Sequence, residues 1–423
     1  MRELSKVSFG VGDRFSHQAK AQLKAIIQIQ KMGIEVTPVW NKSNREHITI
    51  GTHPGQVRVE ADEAVTELNW TKDYFVDADH INMDTVRGFI PVSDFFTIDV
   101  SSYIGQGPDD SDLTIFLNKC EKYSEQLNIP GIEGQLKTGL ALITSLAQKY
   151  LFAAQKASDI YSMIEAKKGK GQFITEISMD EVATPQTPVE LFFILFMLAE
   201  EKVPLQTIAP RFSGRFNKGV DYVGDVAQFA KEFEEDLLVI DYAVKEFGLN
   251  PNLKLSIHSG SDKFSIYPAI GELIQKHDKG IHVKTAGTTW LEEVRGLCLA
   301  DGDALDFVKG IYFKALGKID ELCAPYADVI DIDIAKLPAK EEVKSWSAQQ
   351  MADAVCHDKS NPNYNPNLRQ LIHVGYKLAA ERVAKYNVLL EKHRDLIEDC
   401  VFENIYKKHL ALLFNVEVEK VLI

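Results

Sequence analysis

Over roughly its first three hundred residues the chain alternates short runs of β-branched and aromatic residues with long helical patterns, the order that builds parallel βα units. The runs are KVSFG, EVTPVW, HITIG, DYFVDA, FFTIDV, GQFITEIS, LQTIAP, LKLSIH and GIHVKT. Between the first two, HQAKAQLKAIIQIQKMG sets Ala19, Leu23, Ile26 and Ile27 on one helical face, with Gly33 as a stop. Further helices are expected over 187–202, 224–247 and 265–279. A strand count close to eight predicts an α/β fold of the (β/α)8 TIM-barrel type. A doubly wound sheet is the rival. No G-x-G-x-x-G follows the first strand, however; GVGDRF has other spacing, and GKGQF follows a helix instead of opening one.

The barrel is expected over 1–340, with a helical insertion at about 100–170 made of the loop GQGPDDSD, a helix, the loop NIPGIEGQ and a long helix near 136–168. Beyond it the strand patterns cease, and 341–423 reads as a helical extension packed on the barrel, with helices over 347–357, 369–393 and 395–415. A formal net charge of −14 over 423 residues argues against a nucleic-acid groove or an anionic membrane as the main partner, so an anionic ligand needs a local cationic pocket. The N-terminal MRELSKVSFGVGDRF lacks a secretory apolar region and no stretch is long and apolar enough for a membrane span, which makes a cytoplasmic location the default expectation. Cys120, Cys298, Cys323, Cys356 and Cys400 are scattered, without CxxC, a pattern of reduced thiols. The oligomeric state stays open, and a homo-oligomer is compatible with everything above.

Strands buried on both faces should be almost continuously apolar. Here LKLSIH alternates Leu253, Leu255 and Ile257 with Lys254, Ser256 and His258; GIHVKT sets Ile281 and Val283 against His282 and Lys284; Glu176 with Ser178, and Asp77 with Asp79, repeat the pattern. Period two places each set on one surface, and the sets recur towards the C-terminal strand ends, where α/β barrels assemble their sites. For Asp79 and His80 the plain alternative is a capping carboxylate and a backbone-bonded histidine. A divalent cation would instead gather the buried groups without leaving charge unpaired. His258 and Glu176 are the next candidate ligands, against a core histidine and a structural ion pair; His282 ranks lower, and the other histidines take surface or packing roles. Imidazoles with carboxylates suit zinc, nickel, manganese or iron. In APRFSGRFNKGVDY, Arg211, Arg215 and Lys218 form either a solvated cluster or a clamp for a carboxylate or phosphate. Lys263 could add a second anion contact, and Glu133, between glycines, could reach over the mouth as a movable acid or base.

The combination FVDADHI, TEISMDE, APRFSGRFNKGVDY, SIHSGSDKFSIYP and HVKTAGTTWLEEVRGL resembles the tagaturonate epimerase family over almost the whole chain. DADH, more distantly, is similar to the Asp-His pair of class II aldolases. The family resemblance implies a metal-dependent enzyme of hexuronate catabolism that interconverts D-tagaturonate and D-fructuronate, keto-uronates differing at a carbon β to the ketone. Enolisation does not activate that C–H, so retro-aldol cleavage, rotation of the aldehyde and re-addition is the implied route. It implies His80, Glu176 and His258 as ligands, Asp79 or Glu133 as acid/base, Lys284 at a developing oxyanion, Arg211 or Arg215 on the substrate carboxylate, and Asp77 and Lys263 completing the substrate contacts. The rivals are an aldolase that releases fragments, a tagatose/fructose epimerase and a sugar-acid-binding protein. Transient oxidation by bound NAD is disfavoured by the missing dinucleotide fingerprint.

Overall fold

The computed structural model describes residues 2–134, 136–285 and 287–417. Eight parallel strands close into a barrel in sequential order: β1 (Val7–Gly12), β2 (Thr37–Ser43), β3 (Phe75–Ile81), β4 (Phe95–Asp99), β5 (Ile174–Ser178), β6 (Thr207–Ala209), β7 (Lys254–His258) and β8 (Ile281–Thr285). Closure is between β1 and β8, where Gly10 pairs with Lys284.

Alternation along the strands divides the apolar residues into two sets. Val39, Phe75, Phe95 and Ile174, with Leu4, form a small plug inside the barrel towards the strand starts. The outward positions, among them Phe9, Val11, Trp40, Val76, Phe96, Ile98, Ile177, Leu255 and Val283, join one large core with the surrounding helices. Burying each such side chain contributes about 1.5–3 kcal/mol, so the outer shell carries most of the fold's stability. The inside above the plug is thereby released for polar chemistry.

HITIG, expected as a strand, is instead helical, within Asn44–Ile50. The β-branched residues are overruled by a local signal: Ser43 accepts from the Glu46 N–H while Glu46 bonds back to Ser43, and Gly51 ends the helix in the left-handed region. Removing HITIG from the nine strand candidates leaves the eight that close the barrel. Between β4 and β5, helix Leu140–Lys168 takes the place of the barrel helix. Ahead of it lie helix Asp110–Lys119 and a small antiparallel ladder pairing Gln126–Leu127 with Leu136–Lys137.

After β8 the chain is helical, and the helix expected over 369–393 is three pieces, Pro366–Val374, Tyr376–Ala380 and Val383–Lys392, broken at Gly375 and at the non-helical Arg382. These helices fasten the loops at the barrel mouth. Arg369, fully buried, donates to Gly219 O at 2.6 Å, to Asp262 Oδ2 at 2.6 Å and to Val355 O. Arg14 donates to His373 O at 3.2 Å, and Trp290 to Ile372 O at 2.9 Å. His357 and His409 pack around the same Asp262. Among the described residues no helix is long and apolar enough to cross a membrane.

Candidate active site

The polar inner faces converge on a cavity of about 530 Å³ at the C-terminal mouth, lined by the acids, imidazoles and lysine Asp79, His80, Asp99, Asp180, His258 and Lys284 and by the cations Arg14, Arg45 and Lys218. Beneath it Lys284, buried, places Nζ 2.8 Å from Asp77 Oδ2, 2.9 Å from Asp79 Oδ1 and 3.2 Å from Glu176 Oε1. Thr97 Oγ1 is 2.6 Å from the same ammonium. Burial works against every charge here. Lys284 nevertheless has its pKa raised well above the ordinary lysine value, because Asp77, Asp79 and Glu176 surround it. Burial would raise Asp79 and Glu176, but Lys284 and the imidazoles of His80 and His258 respectively hold both carboxyls below their usual range. For Asp77, burial and repulsion from Asp79 and Glu176 prevail over Lys284, and its pKa rises to about 6.

His80 reaches the mouth through a backbone irregularity. Consecutive strand residues point to opposite faces, so Asp79 and His80 would ordinarily diverge. The β3–β4 register shifts between Ala78 and Ile81, and His80 takes φ 49°, the left-handed region. Such a conformation costs a non-glycine residue of order 1–3 kcal/mol, a cost tolerated where it aims the imidazole at the cavity. His80 Nδ1 lies 2.9 Å from Asp99 Oδ2, and since a carboxylate only accepts, Nδ1 carries the proton and Nε2 is free.

His258 is oriented by the same logic. Its Nε2 lies 2.8 Å from Glu176 Oε1, leaving Nδ1 as the free nitrogen; that atom is buried 3.3 Å from Asp180 Oδ2, without a hydrogen-bond partner among the described residues. One donor atom from each of His80, Asp180 and His258 lies within 4.8 Å of the other two. An orphaned imidazole nitrogen beside a second free one and a carboxylate fits a shared divalent cation. Burial lowers an imidazole's pKa, yet Asp79, Asp99 and Asp180 carry His80 well above its ordinary value, and Asp180 with Glu176 raises His258. The pocket therefore attracts positive charge at the point where the free nitrogens meet.

Glu176 lies outside this trio. Fully buried, it bonds the far nitrogen of His258, and its other oxygen accepts from Thr207 Oγ1 at 2.8 Å. That is the position of a group that orients a ligand. Asp180, which the sequence reading did not single out, follows Glu176 and Ser178 at the same period of two, and continuing the alternation past the strand end would have reached it. Asp99, Arg14 and Arg45 were likewise missed.

Other expected residues fall elsewhere. Asp77 sits a layer below the cavity, held by the Thr97 N–H at 3.1 Å and by Lys284, and does not line it. Lys263, fully buried, spends its ammonium on Asn217 O (3.0 Å), Val220 O (2.8 Å), Ser261 Oγ (3.0 Å) and Asp262 O (3.3 Å), bracing a loop instead of facing a ligand. Glu133 is exposed on its loop and is not part of the lining. Arg211 and Arg215 open onto an adjoining cavity of about 630 Å³; Arg211 donates to Asp180 O at 3.1 Å, and Arg215 pairs with Asp331 at 3.0 Å.

Residues 1–413 match the family described as tagaturonate epimerase. A tagaturonate/fructuronate epimerase of Thermotoga maritima is 29% identical over 427 residues, covering 96% of this chain and 81% of that protein. A glycerol-complexed crystal structure of fructuronate-tagaturonate epimerase from Cohnella laeviribosi superposes with a TM-score of 0.79 at 25% identity, covering 96% of this chain and 81% of the other. The native crystal structure of that epimerase gives 0.77 at 24% identity, covering 98% and 82%.

Proposed function

The chain belongs to the tagaturonate epimerase family, and from that premise we propose that it interconverts D-tagaturonate and D-fructuronate by breaking and remaking a carbon–carbon bond. The observation that carries this reading is the meeting of His80, Asp180 and His258 beside the ionised Asp79 at one barrel mouth. His80, Asp180 and His258 would hold a divalent cation, zinc, nickel, manganese or iron by donor type, which would supply Lewis-acid stabilisation of the developing enediolate charge. The five free cysteines suit a reducing, cytoplasmic setting.

Asp79 is the acid/base. It lines the cavity and is kept ionised by Lys284 at 2.9 Å, so it can take the proton of the hydroxyl on the carbon to be inverted. As that hydroxyl becomes a carbonyl, the bond to the neighbouring carbon breaks and its electron pair passes into the ketone fragment as an enediolate. The aldehyde acid turns over, the enediolate adds to its other face, and Asp79 returns the proton. Lys284 acts chiefly by charge, since Asp77, Asp79 and Glu176 already occupy its donors. Glu176 and Asp99 hold the two imidazoles in one tautomer and one orientation.

The test is turnover of tagaturonate in D2O by purified, metal-supplemented protein, followed by NMR. Fructuronate that keeps protium at the inverted carbon is the expected product. Deuterium at that carbon would exclude the cleavage route, accumulating free fragments would make the enzyme an aldolase, and full activity after chelation would remove the metal.

A further inference from the structure

The mouth holds a group of cations that the chemistry above leaves unused. Lys218 and Arg45 line the same cavity as His80, Asp180 and His258. Among the described residues neither side chain has a carboxylate within ion-pair distance. Arg45 only lays its guanidinium over the Tyr326 ring at 5.1 Å, and the Lys218 ammonium lies 3.4 Å from where a Cβ on Gly260 would stand. Gly260 follows His258 by two residues in the turn after β7, so a side chain there would lie against the Lys218 ammonium. Lys218 is fixed by its own N–H donating to Val329 O at 2.7 Å, on the short helical segment that also presents Tyr326. Arg14 stands behind them, neutralised by Glu46 at 2.8 Å.

Arg45 is exposed, but Lys218 is half-buried, and among the described residues it faces the cavity without a carboxylate partner, an arrangement suited to receiving an anion in a chain of net charge −14. Burial and the nearby Arg45 and Arg14 lower the pKa of Lys218, against Glu181 and Asp180 which raise it; a bound anion would relieve that repulsion. Lys218 and Arg45 border both cavities, whereas Arg211 and Arg215 line only the neighbouring one, Arg211 donating to Asp180 O and Arg215 pairing with Asp331.

We propose that Lys218 and Arg45, lining the cavity that also holds His80, Asp180 and His258, form the subsite for the substrate's carboxylate and so set the enzyme's preference for sugar acids. The inference rests on the epimerase reading and adds to it the residues that read the acid end. Charge-assisted contacts of this kind are worth roughly tenfold to a hundredfold in affinity. Lys218→Met and Arg45→Gln are therefore expected to raise KM for tagaturonate by about that factor with kcat within about threefold, Lys218→Arg to recover most of the loss, and Arg215→Gln to change neither constant. Unchanged KM in both variants, a fall in kcat alone, or a rise in KM confined to Arg215→Gln would each overturn the assignment. Wild-type protein inert on tagaturonate would instead sink the epimerase reading. The subsite is then read by titration with D-glucuronate, whose binding the double variant must abolish and whose unchanged affinity refutes it.

Discussion

Replacing Lys284 by methionine removes an ammonium that touches three buried carboxylates, Asp77, Asp79 and Glu176, at 2.8, 2.9 and 3.2 Å. At an effective dielectric constant of about 20, one such contact near 3 Å is worth about 5 kcal/mol. Repulsion among the carboxylates and the desolvation of all four groups take back most of the total. Deleting one partner of a buried ion pair costs about 3–5 kcal/mol net, and Lys284→Met should lose that much unfolding free energy at pH 8, measured by urea denaturation with tryptophan fluorescence. The pH dependence follows from the signs. In the wild type, Asp79 and Glu176 titrate below their ordinary values, so the stability they contribute is present above the unfolded carboxylate pKa and is lost as pH falls through the folded one. Without Lys284 the stranded carboxylates take up protons at higher pH, and the defect should shrink between pH 8 and pH 5. Lys284→Met/Asp77→Asn should recover part of the loss by removing one stranded charge. A single variant within about 1 kcal/mol of wild type at pH 8, or a defect that grows on acidification, would refute the reasoning.

Asp180→Ala should weaken binding of a divalent cation more than Glu176→Gln does, the latter by about 10- to 100-fold as an orienting partner; equilibrium dialysis against manganese or zinc separates the two. Gly287→Ala would put a Cβ 2.4 Å from His373 Nε2 and 2.6 Å from Gly260 O, an overpacking that should cost about 1–3 kcal/mol in urea unfolding. Lys254, buried inside the barrel with only carbonyl partners, has its pKa lowered by burial to about 8 from an unfolded value of 10.5. Between these values the unfolded chain binds more protons, so stability rises with pH across that window, by about 3 kcal/mol in all. Lys254→Met should abolish this rise, read as the difference between variant and wild type in urea midpoints from pH 8 to 10.5.

The fold was legible because period-two alternation and helical spacing are local signals, and eight runs of the right kind stand in the sequence. HITIG misled because composition was weighed above the capping pair Ser43 and Glu46 beside it. Inner-face polarity points to β3, β5, β7 and β8, the strands whose ends border the candidate site, since side-chain direction in a strand follows from parity alone. Parity could not show that His80 escapes it through a register shift and a left-handed backbone. Nor does parity reach Lys263, which lies past the end of its strand in a loop whose carbonyls take its ammonium, whereas Lys284 sits on a strand among carboxylates. Arg14 and Arg45 lie beyond strands whose polar ends drew no notice, and their nearness to Lys218 depends on barrel closure, a contact between distant parts of the chain.

Arg369 and the main chain around His373, supplied by the last sixty or so residues, are what fasten the loops after β1, β6 and β7. A nascent chain halted before Pro366 already contains all eight strands, yet Asp262 and Gly219 lack the guanidinium that joins them. Such a chain should lack turnover, its mouth loops left unfastened although every strand that carries a site residue is present.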